Sequence, residues 1–218
     1  MPESTEEQLV ARLRQGDRAA LAELLARYQH RLFNVALRML GNRDDAAEIT
    51  QDAMLKIIEH VGDFRGDSAI GTWMIRIVMN LSIAQLRKRR LRLTASLDAP
   101  GAGGDGSADQ GSVLRDELAH AREPGPEASV QLREMSARLH AAMRGLAEEF
   151  RAVLVLRDIE EMDYQQIALT LALPAGTVKS RLFRARLALR QKMLESEPAV
   201  SRIPENPAAP AARPGTES

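Results

Sequence analysis

Residues 173–193 read LPAGTVKSRLFRARLALRQKM. From Lys179 to Lys192 there are six basic residues and no acidic one, in a chain that carries 30 Lys+Arg against 30 Asp+Glu. Set on a helix at roughly 100° per residue, Val178, Leu182, Ala185, Leu189 and Met193 share one narrow face. Lys179, Ser180, Arg181, Phe183 and Arg184 lie opposite or on its flanks. Just upstream is a second amphipathic segment, Tyr164 to Leu171, and a short turn at residues 172–176. Helix, tight turn, and a second helix with polar first turns is the helix-turn-helix pattern, whose second helix enters the major groove. Arginine suits such a helix because its fork bonds both acceptors of a guanine, and Ser or Thr bonds bases or phosphates. A solvated basic face is the plain alternative. Against it, six like charges without a compensating acid forgo the usual i,i+4 pairs and repel one another.

Outward from this stretch the chain divides. Ser4-x-x-Glu7 reads as a capping box opening a first helix that stops at Gly16. Asp17 caps a second, stopped by Gly41. Residues 42–45 read as a polar turn, and a third helix runs to about Val61. A loop covers 63–71, and a fourth helix starts near Thr72 and enters RKRRLR (87–92). Residues 94–126 then hold six glycines and three prolines, the composition of a flexible linker. Helical periodicity returns at about Glu127 and lasts to about Leu194. The remainder, with five of the chain's ten prolines, reads as disordered. No strand-like alternation occurs. The expected fold class is all-α, with two small helical domains at 1–93 and 129–195, a linker at 94–128 and a Pro-rich tail at 196–218.

Composition bounds the function. The apolar fraction of 44% suffices for a core, and aromatics at 3% leave that core to Leu, Ile, Val, Ala and Met. With no cysteine, disulfides and thiolate metal sites are excluded. The histidines are scattered and form no ligand or triad pattern. No apolar run approaches the roughly 20 residues of a membrane span, and the acidic N-terminus has no signal core. No phosphate loop, metal cluster or nucleophile arrangement appears. The expectation is a cytoplasmic protein without catalysis, cofactor, metal or small-molecule substrate.

The segment LRDIEEMDYQQIALTLALPAGTVKSRLFRAR (156–186) resembles region 4 of the sigma-70 family, and in particular its extracytoplasmic-function (ECF) sigma factors. One departure is Gln166, where the family usually has Glu. FRGDSAIGTWMIRIVMNLSIAQLRKRR (64–90) is similar to the family's region 2 signature. DDAAEITQDAMLKI (44–57) resembles the part of region 2 that binds the clamp helices of RNA polymerase's largest subunit. The third helix agrees from its own periodicity. Ala46, Ile49, Ala53, Ile57 and Val61 form a core face, and Glu48, Asp52 and Glu59 surround an outward Leu55.

The resemblance implies the roles of particular residues. Recognition of the promoter −35 element would fall to Arg157, Tyr164, Thr177, Lys179, Ser180, Arg181, Phe183 and Arg184. The −10 element would be met by Phe64, Arg65, Ser68, Ile70, Thr72, Trp73, Arg76, Asn80 and Arg87. Polymerase docking would use Glu48, Gln51, Asp52, Leu55 and Glu59. On the fourth helix, apolar nearly all round through Ile83, Arg76, Asn80 and Arg87 make one narrow polar stripe. Trp73 reads more simply as core than as a stacking platform, and Arg87 to Arg92 as a phosphate-contacting tract. Phe64 either walls a base pocket or pins its loop. Small residues at Gly66, Ser68, Ala69 and Gly71 would let that loop approach a nucleotide.

The implied function is an alternative sigma factor. Its partners would be core RNA polymerase (the clamp helices and the flap of the second-largest subunit), promoter DNA and an anti-sigma factor, with no membrane insertion. Two rival readings use the same helix-turn-helix: a self-sufficient DNA-binding regulator, and a sigma-like signalling adaptor. The first would need a dimerisation or ligand domain where this chain has a docking helix. Arg184, Ser180 and Asn80 argue against the second.

Overall fold

The computed structural model describes residues 5–97 and 126–196. The expected linker core and Pro-rich tail lie outside the described residues. Eight α-helices and no strand occur among the described residues. They are α1 (Glu6–Arg14), α2 (Arg18–Leu40), α3 (Arg43–His60), α4 (Ile70–Leu97), α5 (Pro126–Arg144), α6 (Glu148–Leu154), α7 (Tyr164–Leu171) and α8 (Ala175–Glu195).

Local chemistry sets the boundaries. The capping box at α1 is one residue later than Ser4–Glu7: Thr5 accepts from the Gln8 N–H, and Gln8 returns a bond to the Thr5 N–H. Asp17 caps α2 through the N–H groups of Ala19 and Ala20, and Gly41 ends it in the left-handed conformation. Residues 42–45 are not a turn. Asn42 accepts from the N–H groups of Asp44 and Asp45, so it is itself the N-cap of α3. α4 begins at Ile70 rather than near Thr72, and runs to Leu97, into the segment read as linker. Helix formers continue there, and the first glycine comes only at Gly101.

In the first bundle the core is built on α2, where Ala20, Leu24, Tyr28, Leu32, Val35 and Met39 recur at helical spacing and are all buried. Ala46, Ile49, Ala53 and Ile57 of α3 and Met74, Ile75, Val78 and Met79 of α4 close over them. Val61 lies past α3, itself half-buried at the start of an otherwise exposed 3₁₀ turn. In the second bundle α6 is buried from Arg151 to Leu154 and continues as a π turn, Val155–Ile159. The Met162 N–H donates to the Leu156 carbonyl, and Arg157 Nη1 donates to the Met162 carbonyl, closing the chain back toward α7. The buried clusters of the two bundles are continuous.

One close approach fixes the start of α4. A Cβ on Gly71 would stand 2.6 Å from the Tyr28 hydroxyl oxygen. Tyr28 donates to Glu6 Oε2 at 2.7 Å. Burial first, and this bond second, push its pKa up to about 12. Gly71→Ala therefore destabilises the fold by about 1–3 kcal/mol through overpacking, although alanine outranks glycine by about 1 kcal/mol in a helix. Urea unfolding measures it; an unshifted midpoint would show that Tyr28 yields.

Candidate nucleic-acid interface

The helix-turn-helix is assembled by its caps. Asp163 Oδ1 accepts from the N–H groups of Gln165 and Gln166, both at 2.8 Å, and Gln166 Oε1 accepts from the Asp163 N–H at 3.0 Å. Gln166 thus fills the capping box as a glutamate would. α7 ends at Ala172, with φ 52°. The Pro174 carbonyl accepts from the N–H groups of Thr177 and Val178, so α8 is already helical at Ala175, earlier than residues 172–176 suggested as a turn. No side chain caps this end. Its free N–H groups and dipole therefore face outward, where an anion is favoured.

Val178, Leu182 and Ala185 are buried, with Leu189 packed against them. Opposite, Lys179, Ser180, Phe183 and Arg184 are exposed. The cations are not all available. Arg181 turns back to Glu149 of α6, with Nη2 at 3.1 Å from Oε2 and its side chain 21% exposed. Arg186 forks onto both oxygens of Asp158. The acids absent from residues 179–192 come from α6 and its π turn. Lys179 and Arg184 have no carboxylate partner among the described residues, and Arg184 Nε donates weakly to the Ser180 carbonyl at 3.4 Å. Thr177 is half-buried, and its carbonyl accepts from Ser180 Oγ. Arg157 lies 5.3 Å from the Tyr164 ring centroid and is held there by its bond to Met162. These two residues form one unit beside the recognition helix.

On the first bundle, Arg76, Asn80 and Arg87 are exposed along α4, as one polar stripe. The loop before it carries exposed Arg65 and half-buried Ser68. Gly66, with φ 84°, brings its backbone against Arg14, whose Nη2 donates to the Arg65 carbonyl. Phe64 and Trp73 pack against each other with ring centroids 5.5 Å apart, both half-buried on the core. This geometry suits a loop pinned by Phe64 and a structural Trp73. Thr72 is half-buried beside them. Two expectations need correction. Ile70 is 1% exposed: as the first residue of α4 it turns into the core and has no surface for DNA. Gly71 is also buried, and its missing side chain makes room for Tyr28, not for a nucleotide.

The outward face of α3 carries Glu48, Gln51, Asp52, Leu55 and Glu59, all exposed. Leu55 is 58% exposed and Ile58 47%. Ile58 was not among the expected residues, though its i+3 spacing from Leu55 puts the two side by side. The face is thus an apolar pair among carboxylates. Among the described residues no group of His, Cys, Asp and Glu could hold a metal ion, and no helix is long and apolar enough to cross a membrane.

Residues 24–92 match the family described as Sigma-70 region 2, and residues 136–189 match Sigma-70, region 4. RNA polymerase sigma-H factor of Pseudomonas aeruginosa is 32% identical over 189 residues, covering 87% of this chain and 94% of that protein. ECF RNA polymerase sigma factor SigW of Bacillus subtilis is 30% identical, covering 84% and 94%. Among solved structures, sigma factor RpoE bound to anti-sigma factor NepR from Bartonella quintana shares the fold. Its TM-score is 0.56 at 22% identity, with 81% and 98% of the chains covered. CnrH in complex with the cytosolic domain of CnrY gives 0.55 at 22% identity, covering 87% and 97%.

Proposed function

From the premise that the chain belongs to the sigma-70 family of RNA polymerase sigma factors, we propose how its surfaces divide the work of an alternative, ECF-type factor. The face of α3 with Leu55, Ile58, Glu48, Gln51, Asp52 and Glu59 docks on core polymerase. The α4 stripe and the preceding loop meet the −10 element. The N-terminal turns of α8, with Lys179, Ser180, Phe183 and Arg184, meet the −35 element. The observation that carries this reading is the acid-ringed apolar pair on α3, set apart from two cation-bearing surfaces. A plain DNA-binding regulator has no use for it.

The chain contributes no catalysis and works in the cytoplasm, where polymerase supplies the chemistry. An anti-sigma factor is its second protein partner; the similar fold of RpoE was captured with one. Gel filtration of the full chain with core polymerase, without DNA, tests the docking claim. Co-elution is expected, and separate elution at micromolar concentrations would overturn it.

Within this scheme Asn80 reads an extruded base of the −10 element. Unstacking and unpairing a base cost a few kcal/mol, so melting needs a seat for it. An exposed carboxamide offers both a donor and an acceptor to a base edge. Asn80→Ala then impairs transcription even on a template with a mismatched −10 bubble, and most for one non-template base. A defect that tracks thermal stability and shows no base preference would leave α4 only a structural role.

A further inference from the structure

One helix holds both ends of the loop that precedes α4. α1 comes before residues 24–92, which match region 2, and belongs to none of the surfaces described above. It is itself fixed: Leu9 is fully buried, Leu13 packs against the core, and Arg12 Nε donates to Asp17 Oδ2 at 2.8 Å. At the first residue of α1, Glu6 Oε2 accepts from the Tyr28 hydroxyl, and Tyr28 fills the open side of Gly71, where α4 begins. At its last residue, Arg14 Nη2 donates to the Arg65 carbonyl at 3.1 Å. Gly66 turns the chain there with φ 84°, and a Cβ on it would stand 2.6 Å from Arg14 Nη2. The two ties lie about 12 Å apart along α1 at about 1.5 Å per residue.

Between these ties, residues 65–69 are exposed or half-buried, and none is buried. A segment with so little packing takes its order from bonds and turns rather than from a core. A loop that sets one base apart from three must hold its polar groups in place, since a shift of about 1 Å forfeits a contact. Arg14 is exposed, so the plain alternative is an arginine that meets a DNA phosphate. The geometry favours the first use: Nη2 is already given to a carbonyl of the loop, and the left-handed Gly66 leaves open the space that the guanidinium fills. We propose that Arg14 is a positioning residue for −10 recognition, which holds the loop before α4 in its discriminating conformation through the Arg65 carbonyl and touches no DNA itself. The consequence for base choice rests on the −10 reading of this loop; the tie itself does not.

Trp73 is the chain's only tryptophan, and its ring centroid lies 5.5 Å from that of Phe64, the residue before Arg65. Its fluorescence therefore reads the loop without label, DNA or polymerase. In the full chain, Arg14→Ala is expected to raise acrylamide quenching of Trp73 while the urea midpoint holds. Gly66→Ala, strained at φ 84° and crowded against Arg14, raises it likewise. Transcription is then read with core polymerase on four templates whose mismatched −10 bubbles differ in one non-template base. Arg14→Ala should reduce the parent's preference for its best base about 3- to 10-fold, the scale of one hydrogen bond. Unchanged quenching in both variants overturns the tie. Raised quenching in Arg14→Ala that comes with a lowered midpoint means a general loosening, and raised quenching with the base preference intact means a loop that does not choose; either overturns the positioning role. An equal loss on all four templates makes Arg14 a phosphate contact and overturns it too. A parent without base preference fails the −10 reading, and the positioning role with it, whereas quenching, read without DNA, decides the tie on its own.

Discussion

Leu55→Ala combined with Asp52→Ala weakens binding to core RNA polymerase by about 2–3 kcal/mol, roughly 30- to 150-fold, the range of a central interface cluster. Leu55 is 58% exposed, and Ile58 beside it 47%. Such a pair gains most when a partner removes it from water. Asp52 stands one turn before Leu55 and adds charge complementarity to a basic partner. Both side chains point away from the core formed by Ala46, Ile49, Ala53 and Ile57. The isolated double variant therefore keeps its helicity and its melting temperature. Competition against labelled parent protein measures the loss. Equal competition by parent and variant removes α3 from the polymerase interface.

Arg184→Ala lowers affinity for the −35 element by about 1–3 kcal/mol if the guanidinium bonds a base edge. The distinction among the arginines of α8 is structural. Arg181 is held by Glu149 and Arg186 by Asp158, whereas Arg184 is exposed with only a long bond to the Ser180 carbonyl. In the first turns of α8, Arg184 is therefore positioned to reach DNA without first breaking an ion pair, as Arg181 would have to. Lys192→Ala, farther along the helix, acts equally on all sequences if it acts. Comparing cognate and scrambled −35 duplexes separates the two cases. A loss for Arg184→Ala that is the same on both means a phosphate contact only.

Periodicity made the helices legible, because a 3.6-residue repeat of apolar side chains is written in the chain itself. The faces of α3 and α8 were readable from Ala46 to Ile57 and from Val178 to Leu189. Caps were readable where side chain and spacing coincide, as at Asp17 and Gly41. An Asn shortly before two aspartates fits a turn and a helix start equally well, and at Asn42 the helix start wins because its side chain accepts from the N–H groups of Asp44 and Asp45.

Partners distant in sequence were not readable. The recognition helix looked uncompensated because its acids, Glu149 and Asp158, arrive from other elements. Ile70 looked like a loop residue until the start of α4 turned it inward, and Gly71 looked available until Tyr28 filled its open side. The contact of Arg151 with Met39 joins residues 112 apart. No local pattern announces a cation whose partners are carbonyls at the ends of two helices.

The most direct measurement is run-off transcription on a library of bacterial genomic fragments, with purified core polymerase and this protein as the only initiation subunit. The expected result is a set of discrete 5′ ends that appear only when the protein is added. Upstream of them should lie two shared sequence elements at fixed spacing, and Leu55→Ala/Asp52→Ala should abolish the set. No protein-dependent transcripts from a polymerase that initiates normally with another sigma factor would contradict the assignment. So would tight binding to a DNA element without polymerase and with no effect on initiation.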